Sequence, residues 1–402
     1  MSENREGIVA GLDRIALTAC MAAGLFISAH VAAQTAAAPV KIGFISEFSG
    51  PYAATSRELY DGFLAYQHIH GTDVGGRPIE LILKDTTGPS PEIARREASE
   101  LAINEHADIF TGFGLTPNAL AVFPISTQAK IPTVLLNATA VGLTLKSPYV
   151  VRVSQTIPQE TAPLAKWALT HGIKRLVMLV ADYAPGIDAE ASFTEAFTAG
   201  GGTIVKSTRL PLSTVDFAPY MQRAADAHPD ALFAFMPNGD LGNGLVHAYA
   251  DRRLAKEGIK LIAAGEIIAE KDLDGFGAGA LGLVSTSNYS AFSTTPQNQE
   301  FLKAYAEVTH GPALPGYMAV AGFDGAALIY KALTTTSGST DPTRLVAAMA
   351  GAQLDSPRGP ISIDPVSRDI TQTIYVREVR FINGHYVNAN IETFPAVGVD
   401  GR

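Results

Sequence analysis

Three short polar stretches carry the residues best suited to grip a small molecule. They are Ser46-Glu47-Phe48-Ser49-Gly50-Pro51, Gly112-Phe113-Gly114-Leu115-Thr116-Pro117 and Asn137-Ala138-Thr139. Each follows an apolar, β-branched run that reads as a strand, and ligands of open parallel sheets sit at the carboxyl ends of their strands. The first stands where a nucleotide-binding protein would place a glycine-rich loop, yet it holds serines and aromatics. In the second, Thr116 suits an N-cap with Pro117 at the first helical position, which leaves backbone N–H groups of the opening turn for an anion. Asn137 and Thr139 add an amide and a hydroxyl. Each loop taken alone also fits a plain helix cap, but three together point to a bound carboxylate.

Bond-breaking chemistry has no comparable signature. The chain contains no G-x-S-x-G elbow, no G-x-x-x-x-G-K-[ST] phosphate loop, no H-E-x-x-H and no C-x-x-C. His68 and His70 lie two apart on a predicted helix, so they point in different directions and cannot chelate together. The glycines Gly277, Gly279 and Gly282 form a G-x-G-x-x-G that precedes a strand, without the helix N-terminus that holds a pyrophosphate. They read as a turn. The sequence therefore predicts a binding protein that is not an enzyme and that needs neither cofactor nor metal.

Strands and helices alternate behind these loops. Ile79 to Lys84, Ala107 to Phe113, Ile131 to Asn137, Arg175 to Ala181, Thr203 to Leu210, Ala231 to Met236 and Lys260 to Ala264 read as strands. Helices are expected over Glu160 to His171, Gln297 to Thr309, Tyr317 to Thr335 and Pro342 to Ala350, and around Leu59/Phe63/Tyr66 and Ala94/Ala98/Leu101. Such alternation specifies an α/β fold with parallel sheets covered on both faces. Breaks at Tyr149 to Pro158, Gly282 to Tyr289 and Ser356 to Pro360 suggest two lobes joined by a hinge with three crossings. The expected lobes are residues 40–153 plus 287–358, and 154–286 plus 359–400.

Length and composition agree with that plan. At 402 residues the chain exceeds one core, and 47% hydrophobic content against 17% charged is globular. A net charge of −9 without any basic stripe argues against nucleic acid as partner. Residues 1–33 read as a secretory leader: Arg14 precedes the apolar run Ile15 to Ala29, and Val31-Ala32-Ala33 offers small residues before Gln34, although Ala36 to Ala38 also fits cleavage. Glu3, Glu6 and Asp13 are unusual in such a leader. Leu17-Thr18-Ala19-Cys20 matches a lipoprotein cleavage pattern, but the apolar stretch before Cys20 is short, which disfavours anchoring there. Past residue 33 no apolar run is long enough to span a bilayer.

The opening K-I-G-F-I-S-E-F-S-G-P-Y with its helix bearing D-G-F, then Asp182-Tyr183-Ala184-Pro185-Gly186, Asp216-Phe217, Pro229-Asp230-Ala231 and Ala321-Gly322-Phe323-Asp324-Gly325 resemble a known family. It is that of the type I periplasmic solute-binding proteins of branched-chain amino acid ABC transporters. The likeness runs from about Val40 to the C-terminus. It implies two Rossmann-like lobes closing on a ligand, a periplasmic location and an ABC permease in the inner membrane as partner. By resemblance, Leu115 and Thr116 hold the ligand carboxylate, Asn137 and Thr139 complete the clamp, and Glu266 pairs with an α-ammonium.

The sequence departs from amino-acid binders where Pro185 and Pro237, with Tyr183 nearby, stand in loops that otherwise tend to carry tyrosines. Tyr183 and Tyr289 are expected in the cleft, while Phe113 fits core and cleft alike. Such a wall also suits a flatter ligand. The expected ligand is a branched-chain or other apolar amino acid, and the alternatives are an aromatic acid, a short amide, or a sensing receptor of the same fold.

Overall fold

The computed structural model describes residues 37–401 apart from 238, 265, 266 and 313. The leader with Cys20 and the candidate ammonium partner Glu266 lie outside the described residues. The chain opens on β1 (Val40–Ser46), a one-turn 3-10 helix (Gly50–Tyr52) and α1 (Ala53–His70). It continues through β2 (Asp73–Val74), β3 (Arg77–Asp85), α2 (Pro91–Ile103), β4 (Ile109–Gly112), α3 (Thr116–Ala129), β5 (Thr133–Leu135) and β6 (Val150–Arg152). Next come α4 (Ile157–Thr170), β7 (Arg175–Ala181), α5 (Ala184–Ala199), β8 (Thr203–Leu210), α6 (Ala218–Asp226), β9 (Ala231–Phe235), α7 (Asp240–Arg252), β10 (Lys260–Ala264), α8 (Leu273–Phe276) and β11 (Val284–Ser287). The chain then returns through α9 (Pro296–Thr309), α10 (Tyr317–Thr335) and α11 (Pro342–Met349), and ends in β12 (Gln353–Ser356), β13 (Gly359–Ile363), β14 (Ile370–Ile382) and β15 (His385–Val397).

Among the described residues these strands build two sheets. One has six strands in the order β2-β3-β1-β4-β5-β6; the other has nine, ordered β12-β13-β14-β11-β10-β9-β7-β8 with β15 paired to β14. The β1 ladder shows why the apolar runs are continuous rather than alternating. It is parallel to β3 and to β4, with Ile42 level with both Leu81 and Ile109, and helices cover both faces. Phe44 and Phe63 lie in one core with Val320 and Ile329 of α10, while Ile45 faces the opposite core with Leu101 and Phe110. Around the second sheet, Phe193, Phe233 and Ile262 bury one face and Leu232, Leu245 and Leu261 the other.

Two sequence motifs turn out to be packing devices. In Asp61-Gly62-Phe63 a side chain at Gly62 would run into the Ala319 carbonyl of α10, so this glycine lets α1 and α10 touch backbone to backbone. In Ala321-Gly322-Phe323-Asp324-Gly325, Asp324 is fully buried and pairs with Arg358 at 2.6 Å, while Ser356 donates to it. Helix α4 starts at Ile157, ahead of the expected Glu160, because Thr156 and Gln159 form a capping box in which Gln159 Oε1 accepts the Thr156 N–H.

The backbone passes from one core to the other after β6, after β11 and near the start of β14, where Ile363 and Ile370 pack in the core with Phe44 and Val376 packs with Phe233. A chain of buried amides ties these passages together. Asn288 Nδ2 donates to Gln155 Oε1 at 2.7 Å and to Gln372 Oε1 at 3.1 Å, and Gln372 Nε2 donates to Gln159 Oε1 at 2.9 Å. Arg152 adds a buried pair with Asp369 at 2.7 Å and donates to the carbonyls of Ala138 and Ala140. The expected lobe boundary after 358 falls inside the β12–β13 hairpin, whose Ile361 and Ile363 pack in the core with Phe44. No helix among the described residues is long and apolar enough to cross a membrane.

Candidate functional site

The loops singled out in the sequence meet in a cavity between the two sheets. Glu47, at the end of β1, lines it with Tyr52 and Thr55; Gly114, Leu115 and Thr116 come from the β4–α3 loop, Asn137 and Thr139 from the segment after β5. The nine-stranded side contributes Tyr183 and Pro185 after β7, and Phe235, Met236 and Pro237 at the end of β9. Gln155, Ile157 and Glu160 reach it from the first passage, Tyr317 and Met318 from the start of α10. The lobes are closed down to a cavity of 40 Å³. An apolar cavity that takes a benzene ring measures about 150 Å³, so a ring ligand requires these walls to part.

The β4–α3 loop is shaped for close approach. Gly112 and Phe113 both have positive φ, 105° and 65°, the second costly for a residue with a side chain. The Phe113 ring nonetheless goes to the core with Ile45 and Phe110 and is absent from the cavity wall. At Gly114 a Cβ would overlap the Glu47 carboxyl. Helix α3 begins one residue earlier than the sequence suggests. Leu115, in extended conformation, is the N-cap, and Thr116 is the first helical residue rather than the cap. The Thr116 hydroxyl is released from capping by that shift. Its Oγ1 is buried without a hydrogen-bond partner, as is Oδ1 of Asn137, whose Nδ2 is held by the Gly114 carbonyl at 2.7 Å. Beside the positive end of a helix, the Thr116 hydroxyl can donate to a negatively charged group, whereas Asn137 Oδ1 is an acceptor and suits a donor on the ligand.

Glu47 lies in the first of the polar stretches, but the sequence gives it no role of its own. It is fully buried, its Oε1 accepting from Asn118 Nδ2 at 2.6 Å and its Oε2 lying 3.1 Å from the hydroxyls of both Ser46 and Ser56. Burial pushes its carboxyl above the usual range, outweighing the hydrogen bonds from Asn118, its own backbone, Ser46 and Ser56. The signal that could have found it is an acid at the end of a strand buried on both faces, where a charge needs a partner.

The aromatic side of the cavity is Tyr183 stacked on Phe235, ring centroids 6.4 Å apart and 25° between planes. Burial raises the Tyr183 phenol, with Tyr52 and Glu160 adding to the effect, so it is a neutral donor at ordinary pH. Tyr52 is raised too, by burial first and then by the nearby Glu47 and Asp240. Among the described lining residues there is no lysine, arginine or histidine.

Leu115, Thr116, Asn137, Thr139 and Tyr183 thus come together around one cavity. Tyr289 does not join them. It is 1% exposed in the core beside Phe301, its hydroxyl donating to Asn298 Oδ1 at 2.8 Å. The passage after β11 turns its side chain away from the cavity, a direction that spacing along the chain cannot reveal. Pro185 and Pro237, noted as departures from amino-acid binders, both line the wall. Among the described residues no cluster of three histidine, cysteine or acidic side chains is poised around a metal site.

Comparisons with known proteins agree with this architecture. A family model described as periplasmic binding protein matches residues 39–385. The Leu/Ile/Val-binding protein homolog 6 of Brucella abortus (strain 2308) is 40% identical over 391 residues, which is 97% of this chain and 99% of that protein. A solute binding protein of an ABC transporter from R. palustris, solved in complex with 4-hydroxybenzoate, is 40% identical, with a TM-score of 0.88 over 90% of this chain and 98% of that one. Another from Rhodopseudomonas palustris BisB5, in complex with 3,4-dihydroxy benzoic acid, is 43% identical, with a TM-score of 0.86 over 90% of this chain and 98% of that one.

Proposed function

The chain belongs to the periplasmic binding protein family, as a solute-binding protein of ABC transporters, and from that premise we propose that its ligand is a single-ring aromatic carboxylic acid of the hydroxybenzoate kind. The observation that carries this reading is the division of the cavity: hydrogen-bonding groups at the start of α3 on one side, the stacked Tyr183 and Phe235 with Pro185 and Pro237 on the other. The carboxylate sits at the N-terminus of α3 and takes hydrogen bonds from Thr116 Oγ1 and the first-turn N–H groups, with Asn137 and Thr139 beside it. Charge-assisted bonds of that type contribute about 1.5–3 kcal/mol each. The ring slides between the aromatic pair and the prolines. Two relatives at about the 40% level that were solved with hydroxybenzoates support the assignment.

In this reading the protein is exported, captures its ligand in the periplasm and presents the closed form to an inner-membrane permease. Closure is what the permease recognises. The second reading is an apolar amino acid, favoured by two buried acids in the wall, Glu47 and Glu160, that can face an ammonium group. In that reading Glu266 is the ammonium partner, as the family resemblance implies.

A thermal-shift comparison of protein stripped of ligand by unfolding and refolding decides between them. At a hundred times its dissociation constant a ligand stabilises the native state by about 2.7 kcal/mol, a rise of a few degrees in Tm. The aromatic-acid reading predicts that rise with 4-hydroxybenzoate and benzoate and none with leucine. A rise with leucine alone would replace it with the amino-acid reading.

A further inference from the structure

The Glu47 carboxyl raises a proton-counting problem whose solution bears on how an anion is captured. Ser46 Oγ, Ser56 Oγ and Glu47 Oε2 form a triangle with sides of 2.7, 3.1 and 3.1 Å. Three hydrogen bonds require three protons, and the two serines supply only two. Both hydroxyls also accept from the backbone, Ser56 Oγ from the Glu47 N–H at 3.0 Å and Ser46 Oγ from the Gly114 N–H at 3.3 Å, so each has its lone pairs engaged and its single proton to give. A proton on Glu47 Oε2 closes the ring, with every oxygen donating once. Glu47 Oε1 stays an acceptor for Asn118, whose Nδ2 also reaches Thr86 Oγ1 and the Gly88 carbonyl.

Among the described residues the surroundings offer no cation in exchange. The titratable groups that line the cavity with Glu47 are Tyr52 from the 3-10 turn, Glu160 of α4, Tyr183 before α5 and Tyr317 of α10, and Asp240 of α7 acts on Tyr52 from outside the lining. On α1, Arg57 pairs with Asp61 at 3.0 Å and Glu58 accepts the Gly316 N–H; α3 carries no titratable residue. On β3, Asp85 takes the N–H groups of Phe48, Ser49 and Thr87, and Lys84 pairs with Glu100 at 2.6 Å. An ionised Glu47 would therefore face a ligand carboxylate across the same small cavity with nothing positive among the described residues between them.

We propose that Glu47 takes part in ligand capture as a neutral carboxylic acid, so that closing the lobes over an anionic ligand carries one proton from the solvent onto Glu47 Oε2. The inference rests on the reading that the ligand is an anion. In an opened cleft water reaches the carboxyl and it ionises; in the closed cavity the hydroxyl ring and the ligand charge both favour the acid form. The proton comes from the buffer and returns to it on release. The upward displacement of the carboxyl by burial points the same way. Glu47 is thereby the residue that lets this cleft hold a carboxylate without an arginine or lysine.

Titration calorimetry with benzoate, whose ring bears no second titrating group, tests this in two buffers of different ionisation enthalpy. Wild type is expected to take up close to one proton per ligand, and between pH 6 and 8.5 its affinity should fall by about tenfold or more. Glu47→Gln keeps the acceptor for Asn118 and places N–H donors toward the serines. It should bind benzoate with no proton uptake and an affinity flat within about twofold. Equal uptake in the two proteins, or none in wild type, overturns the proposal. If the variant fails to fold, the infrared band of a protonated carboxyl in liganded wild type replaces it, and absence of a band that appears on binding refutes the idea.

If no aromatic acid binds either protein, the ligand reading fails, and the proposal that rests on it falls with it. If benzoate binds wild type without proton uptake, the ligand reading stands and the Glu47 proposal alone is overturned.

Discussion

The two walls of the cavity differ in chemistry and in how they are held. The wall carried by the six-stranded sheet is polar: Glu47, Thr55, Thr116, Asn137 and Thr139, placed by strand ends and by a loop with two positive-φ residues. The wall carried by the nine-stranded sheet is apolar or aromatic, with Tyr183, Pro185, Phe235, Met236 and Pro237. Hydrogen bonds have strict directions, so the first wall must be built to a fixed geometry. Ring contacts tolerate sliding, so the second can meet the ligand late, as the lobes close. The comparison suggests that one wall fixes the charged end and the other chooses what is attached to it.

The largest effect should come from reversing the charge preference of the polar wall. Thr116→Asp places a carboxylate where the ligand carboxylate is expected, and like charges in an interface cost several kcal/mol, so benzoate affinity should drop by about a hundredfold or more. Calorimetry checks this, with the circular dichroism melt confirming that the fold is retained. An unchanged affinity would remove the start of α3 from the site. A smaller effect is expected on the other side. Tyr183→Leu loses the stacked partner of Phe235, an interaction of about 0.5–1.5 kcal/mol, so affinity for 4-hydroxybenzoate should fall about two- to tenfold. An aliphatic acid such as butyrate should lose less. Equal losses for both ligands would mean that the aromatic wall does not select.

The sequence was most legible where burial on both faces forces a continuous apolar run. Arg175–Ala181 and Lys260–Ala264 are buried along most of their length and are strands at their expected bounds, and the largely buried Tyr317–Thr335 is a helix at its own; the half-exposed edge strand Thr203–Leu210 also keeps its bounds. The polar loops after β1, β4 and β5 were legible for the same reason: a parallel strand must end at the crevice, and polar residues there have somewhere to point. What failed was direction. Tyr289 follows a passage strand just as Asn137 follows β5, but one side chain enters the core and the other the cavity, and nothing in their spacing distinguishes them. Thr116 moved from cap to first turn by a single residue, which decides whether its hydroxyl serves the helix or a ligand. Glu47 was hidden by its neighbours, since Ser46-Glu47-Phe48-Ser49 reads as a loop until the Ser56 hydroxyl, one helical segment later, is seen closing over the carboxyl. The amide chain of Gln155, Asn288 and Gln372 joins residues from three distant passages, a relation that exists only after folding.

A crystal structure of the protein with 4-hydroxybenzoate reads the orientation of the ligand between the unlike walls. The carboxylate is expected within hydrogen-bond distance of Thr116 Oγ1 and the first-turn N–H groups of α3, and the ring against Tyr183 and Phe235. A ligand bound the other way round, with its carboxylate toward Phe235 and Pro237 and its ring at Thr116, would contradict it.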